Sequence, residues 1–172
     1  MKGSEITVVT GNKSKFREIS TILLEEASLS SRLYEMDLME PKLLSLEETS
    51  KFKAQQAWKA LHSPLITDDT GIIFEGLKDF PGSYTKVLYQ MVGIDGMLKI
   101  VKGLSRKAHY KTVLTFTADG VGYSQFTGTF SGTIALSASS TLDEYFPYDS
   151  IFIPENSSKP RSEMDEDQQI KG

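Results

Sequence analysis

The sequence contains no cysteine and only two histidines, His62 and His109. The absence of cysteine excludes disulfide bonds, thiolate metal sites and a cysteine nucleophile. With two histidines, a zinc centre that requires several nitrogen ligands is not expected. Hard metal ions bound by carboxylate oxygens are the remaining option.

A long apolar run is also lacking. The first apolar stretch, Ile6–Thr10, is far shorter than the roughly 20 residues of a membrane span or the core of a signal peptide. We therefore expect a cytoplasmic protein that does not insert into a membrane. The 19 basic and 23 acidic residues give a net charge of -4, so we expect no binding to a nucleic-acid polymer, although a local basic pocket for a small anion is compatible with this charge.

What is present predicts one domain, 1–172, because 172 residues with 39% hydrophobic content can bury a single core. Strand-like and helix-like patterns alternate in the first half of the chain, as is typical of an α/β sheet. In order, we predict a strand at Ile6–Thr10, a helix ending near Ala27, a strand at Arg32–Leu38, a helix at Leu46–Leu61 and a strand at Pro64–Thr67.

The second half has a different pattern. A loop at Leu77–Ser83 precedes two short helical patterns, Val87–Met91 and Met97–Val101. The segment His109–Leu136 is rich in Tyr, Thr, Val and Phe and is broken by Asp119-Gly120, which predicts two or three antiparallel strands. We therefore expect an α/β fold with a long mixed sheet, in two lobes with the active-site cleft between them. The polar segment Pro154–Gly172 is typical of a loosely held tail.

The first candidate motif lies where a strand meets a helix and consists of Thr10, Gly11, Asn12, Lys13, Ser14 and Lys15. Backbone amides at a helix N-terminus, together with a lysine, suit phosphate groups. A plain turn in which Asn12 caps the helix explains the same residues. The motif is neither the dinucleotide glycine pattern nor a Walker loop.

The second candidate motif is Asp68-Asp69-Thr70-Gly71, directly after a predicted strand. Active sites of open α/β sheets lie at the carboxyl ends of strands, and a carboxylate there can bind magnesium or accept a proton from water. The alternative is an ordinary capped turn. Glu40 follows the second predicted strand and, taken alone, reads as surface charge.

The third candidate motif is the aromatic segment Tyr145–Asp149. Aromatic rings stack on nucleobases, and an adjacent acid can accept a hydrogen bond from a ring N–H. Packing of a core ahead of a strand is an equally good explanation. Lys53 and Lys86, taken alone, read as solvated charges on helices.

Five blocks in the same order resemble the inosine triphosphate pyrophosphatase family: TGNKSKFRE at 10–18, DLME at 37–40, DDTG at 68–71, FPGSYTK at 80–86 and FPYDSIFIPE at 146–155. The resemblance spans nearly the whole chain. It implies a magnesium-dependent enzyme of nucleotide-pool cleansing, usually a homodimer, that hydrolyses non-standard purine nucleoside triphosphates such as ITP, dITP and XTP to the monophosphate and pyrophosphate.

The resemblance also implies roles for single residues. Asp69 would bind the metal with Glu40 and activate the attacking water, with Asp68 as its acidic neighbour. The remaining implied residues bind substrate: the Thr10–Lys15 turn, Lys53 and, with less support, Lys86 at the phosphates, Thr70 beside the substrate, and Phe146, Pro147, Tyr148 and Asp149 at the purine.

Three departures from the family pattern concern the base. Pro147 stands where the family commonly has glycine, and Ser150 stands where it has proline. The serine-histidine-arginine motif that grips the base in the family does not occur, and no histidine follows His109. We expect either a truncated chain or base recognition that is altered or lost. Two other functions stay open: nucleotide binding without turnover, and hydrolysis of modified pyrimidine triphosphates.

Overall fold

A computed structural model of the chain describes residues 5–41, 45–141 and 146–165. Within these ranges the chain forms six strands and three α-helices. Their bounds are β1 Glu5–Val9, α1 Lys13–Ala27, β2 Ser30–Tyr34, α2 Leu46–Leu61, β3 Leu65–Phe74, α3 Thr85–Ile100, β4 Lys107–Thr117, β5 Ser124–Ile134 and β6 Phe152–Pro154.

The strands form one sheet in the order β2-β1-β3-β4-β5-β6. β1 pairs in parallel with both β2 and β3, and β5 pairs with β6 in the antiparallel sense. Parallel neighbours need a crossover, which α1 supplies between β1 and β2, and α2 lies between β2 and β3. The predicted α/β fold with a mixed sheet is confirmed.

The chain divides into two compact units. Within the described ranges, the first unit comprises residues 5–41, 45–69 and 112–127, and the second comprises 70–111, 128–141 and 146–165. The core of the first unit contains Val9, Ala54, Ala57 and Leu65. The core of the second contains, among others, Ile72, Phe74, Met97, Val101, Ile151 and Phe152.

Helix α2 begins and ends where the sequence predicts. Ser45 caps its N-terminus, and the Glu48 side chain accepts a hydrogen bond from the Ser45 backbone in return. Side-chain hydrogen bonds attach α2 to the sheet: Thr67 Oγ1 donates to the Ser50 carbonyl at 2.8 Å, and the Ser50 and Thr115 hydroxyls lie 2.8 Å apart. These contacts fix one face of the helix against β3.

Strand β2 ends earlier than predicted, at Tyr34 rather than Leu38. Its neighbour β1 ends at Val9, which pairs with Tyr34, so the following residues have no partner strand. Met36 and Leu38 are apolar because they pack against the core of the first unit. The apolar pattern was therefore produced by packing and not by a longer strand.

Strand β3 continues past the predicted turn. The prediction that it stops at Thr67 is wrong, because Asp68, Asp69 and Gly71 lie within a strand that runs to Phe74. The Asp-Thr-Gly sequence is typical of turns, but here the glycine allows a close approach: a Cβ at Gly71 would lie 2.2 Å from the Gly82 carbonyl oxygen. The capped-turn explanation of Asp68-Asp69 is wrong for the same reason.

The remaining predicted elements are present. Gly93, at a φ of 63°, interrupts α3 and separates the two predicted helical patterns. Asp119 accepts hydrogen bonds from the backbone N–H groups of Val121 and Gly122 in the turn between β4 and β5. No helix in the described ranges is long and apolar enough to cross a membrane.

Candidate active site

The turn between β1 and α1 is organised by Asn12. Its side-chain oxygen accepts hydrogen bonds from the backbone N–H groups of Ser14 at 2.9 Å and Lys15 at 3.2 Å, and its own N–H donates to Thr10 Oγ1 at 3.2 Å. The capping role of Asn12 is therefore confirmed. The cap fixes the first turn of α1 and with it the directions of the two lysines.

The two lysines of this turn lie in different surroundings. Lys13 is exposed, whereas Lys15 is partly buried and forms an ion pair with Asp68. Neither packing nor a positive φ requires glycine at position 11, because a Cβ there would meet no atom within 4 Å. The role of Gly11 in admitting a phosphate stays a prediction.

Lys53, on α2, brings the predicted acids together. Its Nζ donates to the Asp68 carbonyl at 2.6 Å, to Glu40 Oε1 at 3.1 Å and to Asp69 Oδ1 at 3.3 Å. Lys53 is thus no solvated helix charge, since its side chain is only 12% exposed. We refer to Lys15, Glu40, Lys53, Asp68 and Asp69 as the lysine–carboxylate cluster, and all five belong to the first unit.

The position of the two aspartates has a simple origin in the sheet. The parallel pairing of β1 with β3 ends at Val9 and Thr67. Asp68 and Asp69 therefore lie just beyond the carboxyl end of β1, although they are in the middle of β3. The rule that active sites lie at the carboxyl ends of strands is therefore met by β1 and not by β3.

The two aspartates have pKa values shifted in opposite directions. Burial alone would raise the pKa of Asp68, but the ammonium groups of Lys15 and Lys53 outweigh it and lower that pKa below its ordinary value. For Asp69 burial dominates and raises the pKa from 3.8 to about 6, although Lys53 and Lys15 act in the opposite direction. Asp68 is therefore a permanent anion, whereas Asp69 can exchange a proton near neutral pH.

The lysine at the centre stays charged. Burial acts to lower the pKa of Lys53, but Asp68, Asp69 and Glu40 outweigh burial and raise it above its ordinary value. The cluster therefore holds two cations suited to phosphate oxygens and one carboxylate suited to accept a proton. A cluster with this composition can bind a polyphosphate and deprotonate water.

The carboxylates also fit a magnesium ion. Glu40 and Asp69 both contact the Lys53 ammonium group, at 3.1 and 3.3 Å, so their oxygens already converge on a positive charge. The described residues contain no group of three acids or histidines able to hold a metal by themselves. Magnesium typically needs only one or two carboxylates and takes water and substrate phosphate as its other ligands.

A second cluster surrounds Asp149 in the second unit. Asp149 is buried, with 1% of its surface exposed. Its Oδ1 accepts a hydrogen bond from the Tyr110 hydroxyl at 2.8 Å, and its Oδ2 accepts one from Arg161 Nη1 at 2.6 Å. The Arg161 guanidinium also lies 5.8 Å from the centre of the Phe146 ring. We refer to Tyr110, Phe146, Asp149 and Arg161 as the Asp149 cluster.

Two departures from the family pattern contact each other. Pro147 begins a short 3-10 turn that ends at Ser150, and the Ser150 hydroxyl donates to the Pro147 carbonyl at 2.7 Å. The two residues are thus joined within one hydrogen-bonded turn. Tyr148 packs in the core of the second unit, edge-on to Tyr89 at 5.5 Å, as the core-packing explanation expects.

The sequence analysis missed Arg161 and Tyr110. The prediction of a loosely held tail is wrong at Arg161 and Ser162, which are buried, whereas 166–172 lie outside the described residues. Arg161 is 12 residues from Asp149, a spacing that no local pattern connects. Tyr110 is one of several strand aromatics, and nothing in its neighbourhood singles it out.

Of three other predicted residues, the structure describes two. Thr70 follows Asp69 in β3, is half-buried and belongs to the second unit. Lys86 is exposed on α3, so its contact with phosphate stays a prediction. Tyr145, the first aromatic of the third motif, lies outside the described residues.

Comparison with known proteins agrees with the resemblance. The Ham1 family profile matches residues 6–171. A protein of Hyperthermus butylicus named dITP/XTP pyrophosphatase is 35% identical over 99% of this chain and 88% of its own length. A protein of Trypanosoma cruzi named inosine triphosphate pyrophosphatase 1 is 32% identical over 88% of this chain and 76% of its own.

Solved structures show the same fold. A HAM1 protein from Coxiella burnetii superimposes with a TM-score of 0.78 at 21% identity, covering 96% of this chain and 89% of that one. The sequence match, the relatives and the fold agree over nearly the whole chain. The chain therefore belongs to the Ham1 family, the family of the inosine triphosphate and dITP/XTP pyrophosphatases.

Proposed function

We propose that this chain is a nucleoside triphosphate pyrophosphohydrolase that converts ITP, dITP and XTP to the monophosphate and pyrophosphate with the help of magnesium. Its relatives carry the names of enzymes with these substrates. The observation that carries the proposal is the lysine–carboxylate cluster, in which two lysines and three acids meet in one place. Such a cluster suits a reaction in which a polyanionic substrate is attacked by a water molecule that must lose a proton.

In this proposal the two lysines share one task from different elements. Lys15, at the capped start of α1, and Lys53, at the centre of the cluster, donate to phosphate oxygens and neutralise the departing pyrophosphate. Both lysines are already paired with carboxylates, so the phosphate oxygens of the substrate share the two ammonium groups with those carboxylates. Asp68 keeps Lys15 oriented before the substrate binds.

Asp69 is the proton acceptor of the proposal. Its carboxylate can accept a proton, and it lies 3.3 Å from the Lys53 ammonium, a cation that stabilises the developing charge. Bound to Glu40 and Asp69, magnesium would supply charge neutralisation at the phosphates and lower the pKa of the attacking water. Water attacks the α-phosphorus, its proton goes to Asp69, and pyrophosphate leaves.

For the purine we propose the Asp149 cluster. Phe146 offers an aromatic ring for stacking, and the Asp149 carboxylate accepts a hydrogen bond from a ring N–H. Pro147 shapes the turn that presents both residues. Tyr148 contributes through packing, because its ring is already buried in the core.

The test is pyrophosphate release from ITP, XTP, ATP and a modified pyrimidine triphosphate in the presence of magnesium. We expect release from ITP and XTP, and less than about a tenth of that rate in Asp69→Asn, a loss of more than about 1.4 kcal/mol in barrier terms. Asp95→Asn, the same change at an exposed residue of α3, serves as the control and should keep wild-type activity.

Each other outcome identifies a rival. Binding of ITP without release of pyrophosphate would favour a nucleotide-binding protein. Preference for the pyrimidine substrate would favour a pyrimidine triphosphate hydrolase. Retention of more than about a tenth of the activity in Asp69→Asn would remove Asp69 from the mechanism, since no proton acceptor would then have been lost.

A further inference from the structure

Among the described residues, a hydrogen-bond donor lies on each carboxylate oxygen of Asp149. The Tyr110 hydroxyl donates to Oδ1 and Arg161 donates to Oδ2. Burial, together with the adjacent carboxylate, raises the pKa of Tyr110 well above its ordinary value, so this phenol keeps its proton and remains a donor. A carboxylate held on both oxygens cannot rotate about its χ2 bond, so the direction of its lone pairs is fixed.

The Arg161 guanidinium provides the charge that a buried carboxylate needs. The Arg161 side chain is 10% exposed and the Asp149 side chain 2%, so neither is stabilised by much water. A buried carboxyl group without a cation tends to take up a proton and become neutral. Arg161 supplies this cation at 2.6 Å, and towards both Arg161 and Tyr110 the Asp149 carboxylate acts as a hydrogen-bond acceptor.

Arg161 also contacts the aromatic member of the cluster. Its guanidinium lies over the Phe146 ring, within the range of a cation–π contact. The same side chain therefore orients both the acid and the ring that the proposed function assigns to the purine. Ser162, the next residue, lies with its hydroxyl 3.0 Å from the hydroxyl of Ser139, which anchors the segment that carries Arg161.

We propose that Arg161 is the positioning residue for base specificity in this chain: it holds Asp149 as a fixed anionic acceptor and Phe146 as a fixed ring, so that the cluster selects 6-oxopurines over adenine. The inference rests on the proposed function in that it assumes a purine at Asp149.

The chemistry of the purine ring explains the selection. In hypoxanthine, xanthine and guanine, N1 carries a hydrogen and can donate to a carboxylate. In adenine, N1 carries a lone pair, which a fixed anion repels. A carboxylate offers about four acceptor positions, so accepting a ring N–H is compatible with the hydrogen bonds from Tyr110 and Arg161. Arg161 should therefore affect the preference for hypoxanthine over adenine, but not the preference for hypoxanthine over guanine.

The experiment measures binding, so that it does not depend on turnover. Dissociation constants for IMP, GMP and AMP are determined by calorimetry for the wild type, Arg161→Met, Arg161→Lys and Tyr110→Phe. We expect Arg161→Met to weaken IMP and GMP by about tenfold or more and AMP by less than about twofold, as suits the loss of a charged hydrogen-bond partner. Arg161→Lys should restore part of the difference.

Arg106→Met is the matched control. Arg106 belongs to the same unit and donates its side-chain N–H groups to the carbonyls of Ile134 and Ala135. Its loss should lower stability without changing the ratio of IMP to AMP affinity. Should Arg161→Met not fold, Tyr110→Phe removes the other donor without leaving an unpaired charge, and it should shift the ratio in the same direction by a smaller factor.

Several results would overturn the inference. One is an unchanged ratio in Arg161→Met or, if that variant does not fold, in Tyr110→Phe. The others are equal weakening of all three nucleotides in Arg161→Met and a wild type that does not prefer IMP to AMP. Tighter binding of all three nucleotides in Arg161→Met would also overturn it, because Arg161 would then occupy the place of the base. If the ratio shifts as expected but ITP yields no pyrophosphate, the proposed function fails and the inference stands.

Discussion

At the scale of single residues, Asp68 and Asp69 divide the work of the site. Successive strand residues point to opposite faces, and these two neighbours meet different lysines, Asp68 with Lys15 and Asp69 with Lys53. Asp68 is paired and nearly inaccessible, with 2% of its surface exposed. Asp69 is partly buried with less compensation, which is why its pKa rises while that of Asp68 falls.

The raised pKa of Asp69 predicts a cost in stability. A carboxyl group whose pKa is raised from 3.8 to about 6 binds its proton more tightly in the folded protein than in the unfolded chain. The free energy of unfolding therefore falls as the pH rises through this window, and it stays lower above it. Asn at position 69 does not titrate and is free of this cost.

The measurement compares the free energy of unfolding of the wild type and Asp69→Asn by urea denaturation at pH 4.5 and pH 7.5, with a chelator present. The difference in favour of Asp69→Asn should grow with pH by up to about 2 to 3 kcal/mol, because each tenfold change in proton affinity corresponds to about 1.4 kcal/mol. A constant difference, or one that shrinks as the pH rises, would mean that burial does not raise this pKa.

At the scale of elements, the first turn of α1 places Lys13 and Lys15, which are two residues apart in the sequence, in different surroundings. The Asn12 cap directs Lys15 towards Asp68 and leaves Lys13 exposed. We expect Lys15→Ala to raise the KM for ITP by about tenfold or more, since charged contacts to phosphate are worth about 1.5 to 3 kcal/mol. Lys13→Ala should change it by less than about twofold.

Steady-state kinetics with ITP, at a temperature where both variants are folded, checks this prediction. Lys15→Ala also leaves Asp68 buried without its nearest cation and should cost roughly 3 kcal/mol of stability. Its thermal midpoint must therefore be measured first. Small and equal changes in KM for both variants would show that α1 does not contribute to phosphate binding.

The attachment of α2 to β3 predicts a second effect at this scale. Thr67 donates to the Ser50 carbonyl, and Ser50 lies three residues before Lys53 on the same helix. Thr67→Val keeps the shape but removes the donor, so it should cost about 1 kcal/mol of stability. It should also lower kcat/KM for ITP by about threefold or more, because Lys53 loses its fixed distance from the aspartates.

Thr49→Val is the matched control on α2. Thr49 is buried, and its hydroxyl finds no hydrogen-bond partner among the described residues. Replacing this hydroxyl with a methyl group should leave stability unchanged or raise it slightly. Urea denaturation and steady-state kinetics on both variants test this prediction. Equal effects of the two substitutions on stability and kcat/KM would show that the Thr67 hydrogen bond does not position Lys53.

At the scale of the whole molecule, the sequence was sufficient wherever a pattern is local. Both ends of α2 were predicted at the observed residues because its apolar face and its end residues lie within one continuous segment. The mixed sheet followed from the order of strands and helices. The predicted end of strand β3 was wrong because Asp-Thr-Gly resembles a turn. Only a distant residue, Gly82, explains why glycine is needed within the strand.

The pairings within the two clusters could not be predicted from local patterns. Lys15 and Asp68 are 53 residues apart, and Arg161 lies in a polar segment that resembled a tail. All five members of the lysine–carboxylate cluster were candidates from the sequence, but not the contacts of Lys53 with both Glu40 and Asp69. Which charges meet is a property of the folded chain, and so are the pKa shifts that result.

The central claim is that water attacks the α-phosphorus of ITP. Incubation of the enzyme with ITP and magnesium in water enriched in oxygen-18, followed by mass spectrometry of the products, tests it directly. We predict that IMP carries the label and that pyrophosphate does not. Label in pyrophosphate, release of orthophosphate together with IDP, or the absence of any product would contradict the account.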